Sequence, residues 1–182
     1  YAQLEDLGLV CSIFTSPRGA GRQMGNNSPY IIDRVAADFP LLKIFLPHGC
    51  YPMIEEVIHL VWRRANVWIS NDCYMQAPFS CKYVEACNYC VDEPKYPFYP
   101  YYWKRIQERF LYGSCLPQSS PMRERLDEFK SLGWREEILP KLLYHNAARL
   151  FGLEGDITKE LLDWSPVGNM GAIHADAPPI RI

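Results

Sequence analysis

Short apolar segments alternate with amphipathic helical patterns along this chain, and this alternation constrains its fold more than any other feature. The apolar segments are rich in β-branched and aromatic residues and lie at 9–14, 41–47, 67–70 and 110–113. Runs without period-2 alternation are typical of strands that are buried on both faces. Their starts are separated by roughly 20 to 45 residues, the size of a right-handed crossover, so they predict a parallel sheet in an α/β fold.

The segments between the predicted strands carry helix signals. Ser28 is predicted to cap a helix that begins with Pro29, and Gly133 and Gly152 are predicted to end two later helices. The predicted apolar stripes of the four helices are Ile31, Ile32 and Val35; Ile54, Val57, Ile58 and Val61; Leu126 and Phe129; and Leu142, Leu143, Ala147, Leu150 and Phe151. Residues 1–6 read as the end of another helix, and a short helix is predicted at 83–89 within the irregular stretch 71–102.

Charge and apolar runs exclude two classes of function. The 182 residues include 19 basic and 21 acidic side chains, for a net charge of -2. A nearly neutral chain has no broad basic surface for DNA or RNA, so no nucleic-acid partner is expected. No apolar run approaches the roughly 20 residues of a membrane-spanning helix, so no membrane partner is expected either.

The cysteines predict a reducing compartment. There are 7 of them, an odd number that cannot pair completely within one chain, so reduced thiols and a cytoplasmic location are expected. Cys73, Cys81, Cys87 and Cys90 lie close together in sequence, and the last two form a C-x-x-C. A zinc ribbon carries two such pairs. Buried free thiols are therefore the favoured interpretation, with a structural zinc site as the alternative.

Several motifs, in order, resemble a known family. "LEDLGLVCSIFTSPRG", "FPLLKIFLPHGC", "RFLYGSCLP" and "NAARLFGL" are similar to segments in the C-terminal half of amidohydrolase-related proteins of the aminocarboxymuconate-semialdehyde decarboxylase type. The resemblance covers about residues 4–153. It implies that residues 1–153 are the C-terminal half of a (β/α)8 TIM barrel, with strands five to eight. Residues 154–182 contain Gly, Pro and Ala without helical or strand periodicity, and this composition predicts an extended tail.

The resemblance also implies a site. The family places its chemistry at the C-terminal ends of the barrel strands, where a divalent metal, usually zinc, is held by a His-x-His pair, a strand-five His and a strand-eight Asp. A strand-six His acts as acid or base, and that position matches His48, whose imidazole suits proton transfer near neutral pH. Phe14 stands at the strand-five position and cannot bind a metal. Cys115 stands at the strand-eight position, where a thiolate can bind zinc but replaces a carboxylate poorly.

The resemblance therefore implies zinc, with Cys115 as a candidate ligand, but the two substitutions predict that the metal is absent or held in unusual geometry. Arg18 and Arg22 follow strand five and could bind a substrate carboxylate. Asp72 and Tyr74 follow strand seven on the same face and could also contact substrate. Solvated loop charges for the arginines, and a turn-forming role for Asp72, are the alternatives.

Two functions remain open from the sequence. The first is an amidohydrolase-like hydrolase or non-oxidative decarboxylase that acts on a small aromatic carboxylic acid, with an altered metal site. The second is a metal-free pseudoenzyme that serves as a binding or regulatory subunit. The positions of Phe14 and Cys115 favour the second function, and His48 favours the first.

The four predicted strands cannot close a barrel by themselves. Eight strands are needed, and four leave two open sheet edges. The expected macromolecular partner is a missing N-terminal half-barrel or a second copy of the chain. The first residue is Tyr1 rather than Met, which favours a half-barrel that belongs to a longer polypeptide.

Overall fold

The computed structural model describes residues 1–16, 25, 28–72, 79–89, 106–115 and 121–153. Within these ranges, four strands form one parallel sheet whose spatial order follows the chain order. The strands are β1 (Val10–Ser12), β2 (Lys43–Leu46), β3 (Val67–Ser70) and β4 (Phe110–Leu111). The predicted parallel arrangement is confirmed, because each connection is long enough for the crossover that parallel neighbours require.

Helices connect and flank these strands. They are α1 (Ala2–Asp6), α2 (Pro29–Asp38), α3 (Ile54–Arg63), α4 (Cys81–Asn88), α5 (Met122–Ser131) and α6 (Asn146–Phe151), the last preceded by a π-helical turn over Lys141–His145. The Ser28 hydroxyl accepts a hydrogen bond from the backbone N–H of Tyr30, which confirms the predicted cap. None of the helices in the described ranges has the length and apolar content that a bilayer crossing requires. The predicted tail, 154–182, lies outside the described residues.

The main hydrophobic core lies between the sheet and its helices. The strand residues that enter it are in register with one another: Cys11 opposite Ile44, Ile44 opposite Val67, and Ile69 opposite Phe110. A smaller cluster on the other face of the sheet contains buried Trp68 and Leu111, with Leu150 from α6 packed against them. The strands are therefore apolar on both faces, as the sequence predicted.

Two stripe residues differ from the prediction. Ile31 is 49% exposed and Phe151 is 52% exposed, whereas both were expected in apolar stripes. In α2 the buried residues are Pro29, Ile32 and Ala36, which are three or four residues apart and so share one face of the helix. Ile31 is one residue, or about 100°, away from that face.

Asn146 joins the final helix to β4. Its side chain is fully buried, and its Nδ2 donates hydrogen bonds to the backbone oxygens of Gln107 at 2.8 Å and Phe110 at 2.7 Å. Phe110 is the first residue of β4, and Gln107 lies three residues before it. The closing "NAARLFGL" motif therefore has a structural role that the sequence alone did not reveal.

We expect Asn146→Ala to lower the free energy of unfolding by about 1–3 kcal/mol, because it leaves buried carbonyls without a donor. Urea unfolding followed by circular dichroism measures this. Asn88→Ala is the comparison, because the Asn88 side chain also makes two hydrogen bonds, to the Gly133 carbonyl and from the Arg135 backbone N–H, but at exposed or partly buried positions that water can reach. An equal loss in both variants would contradict the role assigned to Asn146.

Candidate active site

Three chemically active side chains meet at the carboxyl edge of the sheet. His48 follows β2, Asp72 follows β3 and Cys115 follows β4, and one potential ligand atom from each lies within 4.8 Å of the other two. Residues that are far apart in sequence meet here because the carboxyl ends of neighbouring parallel strands lie on one edge. The family resemblance implies that the catalytic residues lie at this same edge of the sheet.

His48 and Asp72 form a hydrogen-bonded pair. The backbone N–H of His48 donates to Asp72 Oδ1 at 2.8 Å, and His48 Nδ1 lies 3.1 Å from Asp72 Oδ2. The Ser70 hydroxyl donates to the same carboxylate. Burial raises the pKa of Asp72, but the hydrogen bonds from His48 and Ser70 outweigh that effect and hold it below its usual value. The carboxylate is therefore ionised at neutral pH and orients the imidazole.

The pairing selects an imidazole tautomer. His48 Nδ1 is also 3.2 Å from the backbone oxygen of Asp72, so acceptors surround this nitrogen. A proton on Nδ1 leaves the lone pair of the neutral ring on Nε2. This is the arrangement of a general base whose partner stabilises the imidazolium that forms.

The backbone at the site is strained. His48 has a φ of 68°, Gly49 of 57° and Cys50 of 55°, and Cys115 has a φ of 54°. Among the described residues, His48, Cys50 and Cys115 are the non-glycine residues with positive φ. Each such residue costs about 1–2 kcal/mol, and strain of this kind concentrates at functional sites. Two of the three strained residues belong to the convergent group.

Thr15 holds the strained turn from the end of β1. Its hydroxyl donates to the Pro47 carbonyl and accepts a hydrogen bond from the Cys50 backbone N–H at 3.0 Å. Burial raises the pKa of the Cys50 thiol to about 12, so that thiol stays protonated and acts as a packing group. Sequence reasoning missed Thr15, because no local pattern shows that its side chain reaches the turn after β2.

Two glycines permit the close approach of the loops. A Cβ on Gly113 would lie 2.7 Å from Asp72 Cβ, and a Cβ on Gly49 would lie 2.5 Å from the Tyr83 hydroxyl oxygen. The Tyr83 hydroxyl donates to the Gly49 carbonyl at 2.7 Å. Any side chain at either glycine would therefore push the site apart.

Phe14 contributes an apolar wall. Its ring contacts the His48 ring edge-on, with 4.9 Å between the ring centroids and an interplanar angle of 80°. The ring is 44% exposed. The position that supplies a metal-binding His in the resembling family therefore supplies an aromatic surface beside the imidazole.

Cys115 is disulfide-bonded, and its partner lies outside the described residues. This corrects the prediction of reduced thiols throughout, while Cys11, Cys50, Cys81 and Cys87 are free. The prediction failed because sequence spacing does not show which cysteines the fold brings together. A disulfide sulfur is not a thiolate and does not act as a metal ligand or nucleophile in this state.

The remaining predicted site residues fall in parts of the chain that the structure does not describe. Arg18, Arg22 and Tyr74 lie outside the described residues, as do Cys73 and Cys90. The predicted substrate contacts from these side chains stay predictions. Of the four-cysteine cluster, the described members are Cys81, which is exposed, and Cys87, which is buried on α4.

The amidohydrolase family profile matches residues 1–153. The chain therefore belongs to the amidohydrolase family. No protein of curated function matches the sequence at a significant level.

Solved structures place the chain within one kind of fold. An uncharacterized TIM-barrel protein from Bordetella bronchiseptica is 30% identical, with a TM-score of 0.70 over 85% of this chain and 50% of its own. An amidohydrolase from Burkholderia multivorans with bound zinc is 12% identical, with a TM-score of 0.55 over 83% of this chain and 55% of its own. The chain thus spans about half the length of these proteins, and the predicted fold of TIM-barrel type is confirmed.

A third similar structure is a dihydroxybenzoic acid decarboxylase from Polaromonas sp. JS666, determined with manganese and the inhibitor 2-nitroresorcinol. It is 13% identical, with a TM-score of 0.52 over 90% of this chain and 55% of its own. Structures of this fold thus include proteins with bound zinc or manganese.

The described residues do not fit the metal geometry that the family resemblance implies. The strand-five position carries Phe14, and the strand-eight position carries Cys115 as a disulfide. His48 and Asp72, which could donate to an ion, are hydrogen-bonded to each other instead. The chemistry that we propose for this chain therefore uses its own side chains and no metal-dependent step.

Proposed function

We propose that this chain carries the acid-base half of an enzyme that hydrolyses or non-oxidatively decarboxylates a small aromatic carboxylic acid. The observation that supports it is the His48–Asp72 pair, which is oriented, 9% exposed at each residue, and located at the carboxyl edge of the sheet. An imidazole with an ionised carboxylate behind it can both accept and donate a proton near neutral pH.

In decarboxylation, the protonated His48 donates its proton to the ring carbon that bears the carboxylate. The bond between that carbon and the carboxylate then breaks, its electron pair restores the aromatic ring, and carbon dioxide leaves. Solvent returns the proton to His48. In hydrolysis, neutral His48 removes a proton from the attacking water and returns it to the leaving group. In both reactions Asp72 stabilises the imidazolium.

The position of the Phe14 ring supports the proposal that the substrate is aromatic. An exposed phenyl ring beside the imidazole offers a surface on which a second aromatic ring can pack, with an edge-to-face or offset contact worth about 0.5–1.5 kcal/mol. Arg18 or Arg22 is the proposed partner of the substrate carboxylate, and Tyr74 a further substrate contact.

The second candidate function is a binding or regulatory subunit without catalysis. Phe14 and the oxidised Cys115 favour it, because both remove ligands that the resembling enzymes use. Such a subunit would bind aromatic acids at the same edge of the sheet without converting them.

The proposed enzyme needs a complete barrel. In the described sheet, β1 and β4 are the edge strands, each paired with one neighbour. We propose that an N-terminal half-barrel of the same polypeptide completes the sheet, with a second copy of this chain as the alternative. The chain spans about half of its solved relatives, which supports the first option.

Activity assays and a native-mass measurement on the natural protein test these proposals. We expect it either to release carbon dioxide from a hydroxybenzoate or to hydrolyse a lactone of similar size. We also expect its native mass to lie well above 21.1 kDa. Aromatic acids that bind in calorimetry without turnover would establish the subunit function instead. A folded 21.1-kDa monomer that neither binds nor converts any member of the panel would contradict both functions and the completed barrel.

A further inference from the structure

We propose that Ser70 is a positioning residue, which fixes the Asp72 carboxylate so that the neutral His48 ring carries its proton on Nδ1. Ser70 is the last residue of β3, and no sequence motif assigned it a role. Its effect on turnover rests on the acid-base function proposed above, whereas its effect on the imidazole exists without a substrate.

The Ser70 hydroxyl shares one carboxylate oxygen with the backbone of His48. Both the hydroxyl and the His48 backbone N–H donate to Asp72 Oδ1, the second at 2.8 Å. Two donors on one oxygen restrict the last torsion of the Asp side chain, which is broad where nothing restrains it. The other oxygen, Oδ2, is then held 3.1 Å from His48 Nδ1. The direction of Oδ2 therefore depends on both donors.

Burial prevents water from replacing the hydroxyl. Ser70 is 2% exposed, and Asp72 and His48 are each 9% exposed. The β4 loop covers the pair from one side, since a Cβ on Gly113 would lie 3.2 Å from Asp72 Cγ and 3.3 Å from Ser70 Oγ. A buried acceptor that loses a donor recovers little from solvent. Without the hydroxyl, the carboxylate is therefore no longer confined to one orientation.

The hydroxyl is not arranged as a nucleophile. It donates to a carboxylate, whereas an activated serine donates to the base that removes its proton. Ser70 therefore influences the reaction through Asp72 and His48 and not by attack on the substrate.

The position of the proton matters because a neutral imidazole has one acceptor nitrogen. With the proton on Nδ1, the acceptor is Nε2. With the proton on Nε2, the acceptor would be Nδ1, which already faces Asp72 Oδ2 and, at 3.2 Å, the Asp72 backbone oxygen. That form could not take a proton from water or return one to a substrate. A mixture of the two forms therefore lowers the fraction of productive His48.

Nitrogen-15 NMR of the imidazole rings tests the first step in the absence of substrate. The natural protein is labelled with ¹⁵N-histidine, and long-range ¹H–¹⁵N spectra are recorded at about pH 9, well above the usual imidazole pKa of about 6.5. The signals that disappear in His48→Asn are those of His48. We expect the parent to show one tautomer, protonated on Nδ1, and Ser70→Ala to show a mixture.

Ser80→Ala is the matched control. Ser80 is fully buried, and its hydroxyl oxygen accepts a hydrogen bond from Asn71 Nδ2 at 2.6 Å. Each variant thus removes a buried hydroxyl that bonds to a side chain at the end of β3, but Ser80 bonds to Asn71 instead of Asp72. We expect Ser80→Ala to keep the parent tautomer and the parent kcat. Circular dichroism confirms that each variant is folded, and Ser70→Gly replaces Ser70→Ala if the latter is not.

Kinetics test the second step. Ser70→Ala should lower kcat by about 10- to 100-fold, the rate equivalent of one hydrogen bond to a charged group. KM should change by less than about 2-fold, because the hydroxyl contacts Asp72 and not the substrate. In the Asp72→Asn background the same substitution should change kcat by less than about 2-fold, because residues that act through one another are not additive.

Four results would overturn the role of Ser70. The first is a parent protein whose His48 is protonated on Nε2. The second is a single Nδ1 tautomer in Ser70→Ala, and the third is the same mixture in Ser80→Ala. The fourth is an active parent whose kcat is unchanged by Ser70→Ala. An inactive parent with the expected tautomers would contradict the proposed enzyme instead, and would support the positioning of His48 by Ser70.

Discussion

Replacement of His48 by Asn is expected to lower kcat by about 100- to 10,000-fold, the usual contribution of a general acid or base. Asn is the appropriate substitution because His48 has a φ of 68°, and Asn tolerates the left-handed region better than most residues. Because His48 is buried and hydrogen-bonded to Asp72, the free energy of unfolding should fall by no more than about 1–3 kcal/mol. Steady-state kinetics with the converted acid, and urea unfolding of the same preparation, measure the two effects.

The control for this substitution is His59→Asn. His59 is exposed on α3 and contacts Trp62 with 4.6 Å between ring centroids, away from the residues that converge at the sheet edge. It should retain the parent kcat. If His48→Asn keeps its turnover but unfolds several kcal/mol more easily, His48 is a structural residue and the acid-base proposal is wrong.

Replacement of Gly49 by Ala is expected to lower the free energy of unfolding by about 2–5 kcal/mol. The left-handed backbone, with a φ of 57°, contributes about 1–2 kcal/mol of this cost. The new Cβ would also lie 2.5 Å from the Tyr83 hydroxyl oxygen and 3.1 Å from the Ser70 carbonyl oxygen, and forcing such contacts apart costs about 1–3 kcal/mol. Tyr83 is 1% exposed and cannot swing into solvent.

Gly8→Ala separates the two contributions. Gly8 has a similar φ of 66°, but no atom lies within 4 Å of the position of its Cβ. In urea unfolding, Gly8→Ala should therefore lower the free energy of unfolding only by the backbone contribution of about 1–2 kcal/mol. Equal losses in the two variants would show that the contact between Gly49 and Tyr83 does not constrain the turn that carries His48.

The structure gives Asp72 a role that the sequence did not predict. Sequence reasoning offered it as a substrate contact, which stays a prediction, or as a turn residue, and in the structure its carboxylate accepts hydrogen bonds from His48 and Ser70. We therefore assign it to orienting His48. The sequence of residues 70–72 does not show that the Asp72 side chain accepts hydrogen bonds from Ser70, two residues earlier, and from His48 in the neighbouring loop.

The same limit applies to Cys115 and Thr15. The disulfide of Cys115 and the bridge from Thr15 to the turn after β2 depend on distances between segments that are far apart in the chain. Sequence motifs could locate both residues at strand ends. They could not indicate what each side chain touches.

Local sequence patterns were enough to predict the succession of strands and helices, the parallel direction of the sheet and the position of His48 at a strand end. These features follow from local periodicity, from capping residues such as Ser28, and from crossover lengths, all of which are properties of neighbouring residues. The pairing of Asp72 with His48, the oxidation of Cys115 beside them and the need for a glycine at position 49 became visible in the folded chain alone. Those features arise where loops from different strands meet at one edge of the sheet, and that proximity is not encoded in any single stretch of the chain.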